Sequence, residues 1–268
     1  MIPSLCKGLR GVGLALGYIA LLGEVGHAAP QAFFPGEQLV YDISYMGIDA
    51  GTGIMTVKDP VTLRGRAVYP VVSTAQSNDF VSLFYPVNDR VVSHIDAQRF
   101  YSHVIDVKQH QGKKRREKVI RFDQDRHIAT QYKQGKSETF VIPPETQDSL
   151  SSIYFFRNQT LPPVGQSVLI PVHESEENWQ VEIRILAKER VTTPVGIFDT
   201  VKVQARVPYQ GIFLDKGDVL LWVTDDARHI PVKIHSTIKI GTIVATLISR
   251  RDSSRITGNA TPLIPAVP

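Results

Sequence analysis

Apolar and polar side chains alternate along most of this chain with the two-residue period of a β-strand. The clearest case is the segment 38–57, in which a turn at Gly47 separates two alternating runs that contain Leu39, Tyr41, Ile43, Tyr45 and Ile54. The same alternation predicts further strands at 67–75, 90–95, 101–109, 117–123, 127–132, 138–142, 167–172, 178–191, 198–209, 219–224, 231–238 and 241–249.

Strands this numerous and this short predict an antiparallel sheet, because parallel neighbours need a long crossover connection between them. Turn-forming pairs such as Gln111-Gly112 and Gln134-Gly135 fall between the strand candidates. Leu161-Pro162-Pro163 interrupts the pattern, but sheet-like sequence resumes at once without a long linker. We therefore expect a single antiparallel β domain over 29–251.

Two segments favour helix over strand. In 147–157, helical spacing relates Leu150, Ile153, Tyr154 and Arg157, and either Thr146 or Asp148 is available to cap the first turn. The second segment, 78–85, is shorter and predicts one turn of helix with three apolar side chains on one side: Phe80, Leu83 and Phe84.

The first 28 residues are typical of an export segment. Lys7 and Arg10 form a basic front, and the uncharged apolar run 11–22 is shorter than the roughly 20 residues that cross a bilayer as a helix. Small residues predict cleavage after Ala28, which makes 1–28 a signal peptide and the protein periplasmic in a Gram-negative cell. An uncleaved N-terminal anchor is the alternative. The Ser-, Thr- and Pro-rich segment 252–268 is expected to be a flexible tail.

Charge and cysteine content narrow the function classes. The full chain has 30 basic and 26 acidic residues, and removal of the export segment leaves 28 and 25. This mild excess does not indicate nucleic-acid binding, which concentrates positive charge on one face. The one cysteine, Cys6, leaves with the export segment, so we expect neither a disulfide nor thiol chemistry in the mature protein.

Several motifs resemble domain of unknown function 3108 (DUF3108), a family of exported bacterial proteins. They are Pro35-Gly36-Glu37, Leu39, Tyr41-Asp42-Ile43-Ser44-Tyr45, Gly47-Ile48, Ala50-Gly51, Asp148-Ser149-Leu150-Ser151, Arg157, Thr193-Pro194, Gly196, Phe198, Thr200, Trp222-Val223-Thr224-Asp225-Asp226, Arg228, Ile230-Pro231-Val232 and Gly241. The resemblance implies a curved antiparallel sheet that forms an incomplete, unclosed β-barrel with one or two short helices on its concave side. That architecture is similar to the LolA/LolB-like carriers of lipoproteins. The resemblance transfers no catalytic residue, since a fold does not imply a function.

No pattern in the sequence predicts a catalytic residue, a metal ligand set or a cofactor. The sequence has neither a nucleophile elbow nor a zinc-binding His-Glu-x-x-His helix, and its histidines are scattered. Asp225-Asp226 is the densest carboxylate motif. Adjacent strand residues face opposite ways, so we expect a turn in which one aspartate accepts backbone N–H groups and Arg228 pairs with the other.

A basic run follows the Gln111-Gly112 turn. Its cations are candidate contacts for anionic headgroups or a membrane surface: Lys113, Lys114, Arg115, Arg116 and Lys118. The alternative is a solvated hairpin whose charges discourage edge-to-edge aggregation.

Aromatic side chains gather near the two predicted helices. In a half-barrel covered by helices they would line an apolar cavity for acyl chains, and the candidates are Phe80, Phe84, Tyr85, Tyr154 and Phe155. The alternative is an ordinary core, because aromatic residues bury large areas in any fold.

These observations favour a non-enzymatic periplasmic protein that binds an amphiphilic, lipid-like ligand or an envelope protein, with peripheral membrane contact and no nucleic acid. The second hypothesis is a scaffold protein that uses exposed sheet edges in an envelope assembly. An envelope hydrolase ranks last and would need a pocket that joins His229 and Asp226 to another carboxylate. The oligomeric state stays open.

Overall fold

A computed structural model describes residues 31–207, 217–238 and 241–252. The predicted export segment, 1–28, and all of the predicted tail except Asp252 lie outside these residues. The strands are β1 (Gln38–Tyr45), β2 (Ile48–Val57), β3 (Val61–Leu63), β4 (Arg66–Ser77), β5 (Asn88–Asp96), β6 (Ser102–Gln111), β7 (Lys114–Asp123), β8 (Ile128–Lys133), β9 (Lys136–Val141), β10 (Ser167–Glu174), β11 (Glu177–Thr193), β12 (Gly196–Val207), β13 (Gly217–Thr224), β14 (Pro231–Ile238) and β15 (Gly241–Arg251). The helices are α1 (Asp79–Ser82) and α2 (Ser151–Arg157).

All of these strands belong to one antiparallel sheet. Its order is β10-β11-β12-β13-β14-β15-β1-β2-β4-β5-β6-β7-β8-β9, with β3 paired to β4 only. Most neighbours are consecutive in sequence, and β1 joins the N-terminal half of the sheet to the C-terminal half by pairing with both β2 and β15. No backbone ladder joins β9 to β10 in the described residues, so the curved sheet is an unclosed barrel. The predicted fold class is confirmed.

Side chains bridge the gap between the two ends of the sheet. The Lys118 ammonium on β7 pairs with the buried carboxylate of Glu174 at the end of β10. Gln131 Nε2 on β8 donates to Glu176 at 3.0 Å, and Asn178 Nδ2 on β11 donates to the last carbonyl of β9 at 2.7 Å. The two edges are therefore held together by polar contacts that do not require strand pairing.

The helix α2 packs inside the curve of the sheet and separates two apolar clusters. Tyr154 belongs to the cluster built mainly from β1, β2 and β4–β8, whereas Phe156 belongs to the cluster built from β10–β13. Side chains two positions apart point to opposite sides of a helix, so one short helix contributes to both cores. The four-residue helix α1 lies outside these clusters and has no buried residue.

A buried ion-pair network fixes the C-terminal end of α2. The guanidinium of Arg157 makes two parallel contacts with the carboxylate of Glu37, at 2.7 and 2.9 Å, and both side chains are at most 1% exposed. Arg228 donates to the same carboxylate at 2.6 Å and to Asp252 at 2.6 Å. Burial by itself would lower the pKa of Arg157, but Glu37 raises it above its usual range. The network ties the helix to the segment before β1 and to the end of β15.

We expect Arg157→Ala to lower the free energy of unfolding by about 3–5 kcal/mol, because removing one partner of a buried ion pair leaves the other poorly compensated. Urea denaturation followed by circular dichroism measures this loss. The matched control is Arg190→Ala, since Arg190 pairs with Asp199 on the surface and both side chains are at least 70% exposed. That change should cost at most about 1 kcal/mol. Equal losses in the two variants would contradict the role assigned to Arg157.

Candidate functional site

Along the strands, the inward side chains of the sheet change from large and apolar to polar or small. On β6, Ile105 and Val107 lie in the core, whereas the next inward position is Gln109. On β2 the change runs from the buried Met55 to Gly53, which has no side chain. The half of the barrel that contains α2 is therefore filled. The other half encloses a cavity of about 770 Å³.

Small residues on two paired strands make room for this cavity. Gly51 pairs with Ser77, and Gly53 pairs with Ala75. The sheet also requires glycine at 51, because a Cβ there would lie 2.1 Å from the carbonyl oxygen of Gln76. The inward side chains of β2 and β4 are therefore short at these positions, and they leave the space of the cavity unfilled.

On the other side of β2, the wall continues through β1, β15 and β14 and is mainly apolar. Its side chains are Ile43, Tyr45, Ile234, Ser236, Ile243 and Ala245. At the inner end, Tyr41, Met55 and Ile153 of α2 also border the cavity. The Tyr41 hydroxyl donates a hydrogen bond to the carbonyl of Pro231 at 2.9 Å, so the polar group at this inner end, the floor of the cavity, already has a partner. An acyl chain or other hydrocarbon would meet mainly carbon atoms here.

A polar patch occupies the wall on β5–β7. Gln109 and Gln111 donate to the Asp89 carboxylate at 3.2 and 2.5 Å. The next strand places Arg116 opposite Gln109 and Lys114 opposite Gln111, and both cations border the cavity. Burial raises the pKa of Asp89, although its hydrogen bonds from Gln111, the His110 backbone and Gln109 act in the other direction. The cavity therefore has an apolar side and a side that carries two cations.

The predicted aromatic candidates separate into three locations. Tyr85 borders the cavity at its mouth. Phe80 and Phe84 stand outside it and are 63% and 76% exposed, because α1 lies on the rim and not over the concave face. Tyr154 is fully buried, with its ring 4.9 Å from that of Phe33, and Phe155 packs against the second apolar cluster. The expectation that all five line a cavity is corrected to Tyr85 alone.

The predicted basic candidates also divide. Lys114 and Arg116 border the cavity, although Lys114 is also exposed to solvent, while Lys113 and Arg115 are exposed on the β6–β7 hairpin and do not border it. Lys118 faces the interior lower on β7 and forms the buried pair with Glu174, so it is unable to contact a headgroup at the surface. Alternation along β7 explains the division, because even-numbered positions face inward.

The Asp225-Asp226 motif forms a turn. Asp226 accepts hydrogen bonds from the Thr224 hydroxyl at 2.7 Å and from the Arg228 backbone N–H at 2.9 Å. Asp225 pairs with Lys188, whereas Arg228 pairs with Glu37 and Asp252, which corrects the expected Asp225–Arg228 pair. His229 Nδ1 lies 2.8 Å from the Arg157 carbonyl oxygen. Within the described residues, no group of three or more His, Cys, Asp or Glu side chains is arranged to hold a metal ion.

Sequence reasoning missed most of the cavity wall. Gln109 and Gln111 carried a detectable signal, because they break the apolar alternation of Ile105 and Val107 on the same face of β6. Ile234 and Ile243 carried none, since apolar strand residues are expected in a core.

A buried aspartate positions the helix that closes the cavity floor. Asp148 is fully buried and its Oδ1 accepts the backbone N–H groups of Leu150 and Ser151, each at 2.7 Å. Its Oδ2 accepts the hydroxyls of Ser93 and Ser102, at 2.6 and 2.5 Å. Of the two predicted capping candidates, Asp148 is the one that accepts these backbone N–H groups; the α-helix begins at Ser151, later than the predicted 147, with Leu150 at the N-cap position. One carboxylate joins the helix start to β5 and β6.

The comparisons with known proteins agree with this architecture. The model of a family of proteins of unknown function, DUF3108, matches residues 40–248. A solved β-barrel-like protein of the family DUF1849 from Brucella abortus aligns with a TM-score of 0.52 at 7% identity, covering 83% of this chain and 99% of its own. At this identity the likeness shows the fold alone.

Two further solved structures align less closely. A Bacteroides fragilis protein described as exported, with a YmcC-like fold, has a TM-score of 0.34 at 12% identity and covers 82% of this chain and 99% of its own. A protein described as a lipoprotein from Parabacteroides distasonis has a TM-score of 0.36 at 11% identity, with 82% and 98% covered. No curated protein matches the chain. Neither helix in the described part of the chain has the length and hydropathy to cross a membrane.

The buried Asp148 predicts a pH dependence of stability. Burial raises its pKa above 3.8, so the folded protein holds this proton more tightly than the unfolded chain does. The stability that Asp148 contributes is therefore largest below pH 3.8 and falls as pH rises through the raised pKa. Urea denaturation at a series of pH values measures the free energy of unfolding of wild type and of Asp148→Asn. We expect the difference, wild type minus variant, to fall as pH rises from 3.8 to the raised pKa.

Asp226→Asn is a control with the opposite sign. Burial by itself would raise the pKa of Asp226, but hydrogen bonds from Thr224 and Arg228 hold it below 3.8. Its contribution is present above pH 3.8 and is lost as pH falls through the lowered pKa. A difference for Asp148→Asn that instead grows with pH would show that the helix cap has a lowered pKa.

Proposed function

The chain belongs to the DUF3108 family of proteins of unknown function, and from the geometry of its cavity we propose that it binds an amphiphilic, lipid-like ligand in the cell envelope. The apolar part of the ligand lies against the continuous wall formed by β14, β15, β1, β2 and β4. The anionic part lies against Lys114 and Arg116.

The observation that carries this proposal is the cavity itself. Its volume of about 770 Å³ lies within the roughly 300–1,000 Å³ of small-molecule sites. Glycine and other small side chains keep β2 and β4 from filling the space, while the α2 half of the same barrel is packed with large apolar residues. An unfilled cavity beside apolar side chains lowers the stability of a fold, so stability alone does not explain why this space is left open.

The charge distribution supports an anionic headgroup. Lys114 and Arg116 both border the cavity, and on the same wall the Asp89 carboxylate accepts hydrogen bonds from Gln109 and Gln111. Positive charge in a concave, low-dielectric site attracts anions more strongly than the same charge on an open surface. Phosphate and carboxylate groups both fit this chemistry.

The envelope location rests on the sequence. The export segment 1–28 supports a mature protein in the periplasm, where a sequestered amphiphile would be shielded from water. The hydrolase alternative gains no support, because Asp226 and His229 make turn contacts and neither is among the described residues that line the cavity.

Native mass spectrometry tests the proposal. We expect the protein, purified gently from the periplasm of cells that produce the full sequence, to carry extra mass of a lipid or glycolipid that disappears under denaturing conditions. Ala75→Phe should lower the fraction of protein that carries this mass, because residue 75 borders the cavity opposite Gly53 and a phenyl ring there takes up part of the space.

The matched control is Thr52→Phe, which adds the same ring at an exposed position of the adjacent strand. It should retain the ligand, and circular dichroism should show that both variants are folded. Bare wild-type protein in the native spectrum, or an Ala75→Phe variant that carries as much ligand as Thr52→Phe, would reject the proposal. Bare protein with a cross-linked partner would favour the scaffold function.

A second experiment tests the headgroup contact. We expect Lys114→Gln combined with Arg116→Gln to weaken binding of an alkyl phosphate by about tenfold or more, because hydrogen bonds to charged groups are stronger than neutral ones. Binding of an alkyl maltoside with the same chain length should change little. Isothermal titration calorimetry measures both. Equal weakening for the two amphiphiles would show that these cations shape the cavity without recognising charge.

A further inference from the structure

The rim around the cavity mouth exposes large apolar side chains. They come from the β1–β2 turn and from the segment around α1, and their exposed fractions run from 50% to 78%: Met46, Ile48, Phe80, Leu83, Phe84 and Tyr85. Soluble proteins rarely leave such groups together in water unless they contact something. The rings of Phe80 and Phe84 touch edge to face, with centroids 5.8 Å apart, and leave most of their surface open.

Backbone contacts hold these side chains outward. Asn78 caps α1 by accepting the Val81 N–H at 2.9 Å, and its own side chain donates to the Asp49 carbonyl at 2.9 Å. The Asn78 N–H also donates to the carbonyl of Ala50 at 3.0 Å. The α1 segment is therefore fastened to β2, and the exposure of Phe80 and Phe84 follows from the fold.

The same rim carries a group of cations. Gly112 at the tip of the β6–β7 hairpin donates to the Pro86 carbonyl at 2.8 Å, and a Cβ on Gly112 would lie 2.7 Å from the Tyr85 ring. The hairpin tip thus packs directly against the α1 segment. Lys113, Lys114 and Arg115 on this hairpin are exposed and outnumber the exposed Asp49 and Asp79 beside α1, so net positive charge and aromatic surface are neighbours.

We propose that this rim is a docking surface for an anionic lipid bilayer. Aromatic and aliphatic side chains flanked by lysine and arginine match the interface of such a bilayer, in which apolar groups enter the acyl boundary and cations meet the headgroups. The partner is inferred from this charge complementarity. The mouth of the cavity lies within the same rim, so docking turns the opening toward the lipids.

Docking gives the cavity a route for an amphiphile. A lipid that leaves the bilayer through the rim would meet Tyr85 and Val81 at the mouth and the apolar wall beyond them. Its acyl chain would then cross little water. Docking through this rim does not depend on whether the cavity retains a ligand.

Co-sedimentation with vesicles tests the docking surface. We expect the purified protein to sediment with vesicles of equimolar phosphatidylglycerol and phosphatidylethanolamine, and much less with vesicles of phosphatidylcholine alone. Phe80→Ser with Phe84→Ser should lower the partition coefficient by about tenfold or more, because two rings no longer enter the interface. Lys113→Gln with Arg115→Gln should lower it by roughly 25-fold, about fivefold for each cation, with less effect at high salt.

The matched control removes two exposed cations from the opposite end of the barrel, Arg64→Gln with Arg126→Gln. This variant should bind the anionic vesicles like wild type. Ala75→Phe should also bind them normally, which separates docking from ligand retention. Wild type that fails to sediment with anionic vesicles overturns the inference. Rim variants that sediment unchanged, or control variants that lose as much binding as the rim variants, overturn it too.

Discussion

Burial of the concave face depends on α2, because the sheet does not close on itself. A closed barrel covers its interior through strand pairing all around, whereas in the described part of this chain no ladder joins β9 to β10. The helix fills one half of the opening, and two polar anchors hold it there. Asp148 fastens its start to β5 and β6, and Arg157 fastens its end to Glu37. Without these anchors, the helix would not hold Tyr154 in the first apolar cluster or Phe156 in the second.

The anchors are ionic or charge-assisted although they are deeply buried. Such contacts add little net stability compared with apolar packing, but the loss of one partner is costly. They are also directional, so they specify one orientation for a helix of only seven residues. Several residues that carry the resemblance to the family meet at these anchors: Glu37, Asp148, Ser151, Arg157 and Arg228. The same motifs also supply part of the cavity wall, through Tyr41, Ile43, Tyr45 and Gly51.

The cavity follows from the same arrangement. Because α2 covers only one end of the concave face, the inward positions at the other end have no helix to pack against. The strands supply small and polar side chains there, as at Gly53, Ala75 and Gln109. Large apolar side chains that turn outward at that end lie on the rim instead. The filled floor, the amphipathic cavity and the apolar rim thus follow one another along the strands, from one end of the barrel to the other.

The sequence by itself determined the antiparallel sheet, most of its strands, the position of α2 and the capping role open to Asp148, because these depend on local periodicity and short-range hydrogen bonds. It did not show the short strand β3. It also could not separate Phe80 on the rim from Tyr154 in the core, since both are aromatic residues near a helix. Only the tertiary structure decided those locations, the Lys118–Glu174 pair and the cavity, because each depends on which strands become neighbours across the barrel.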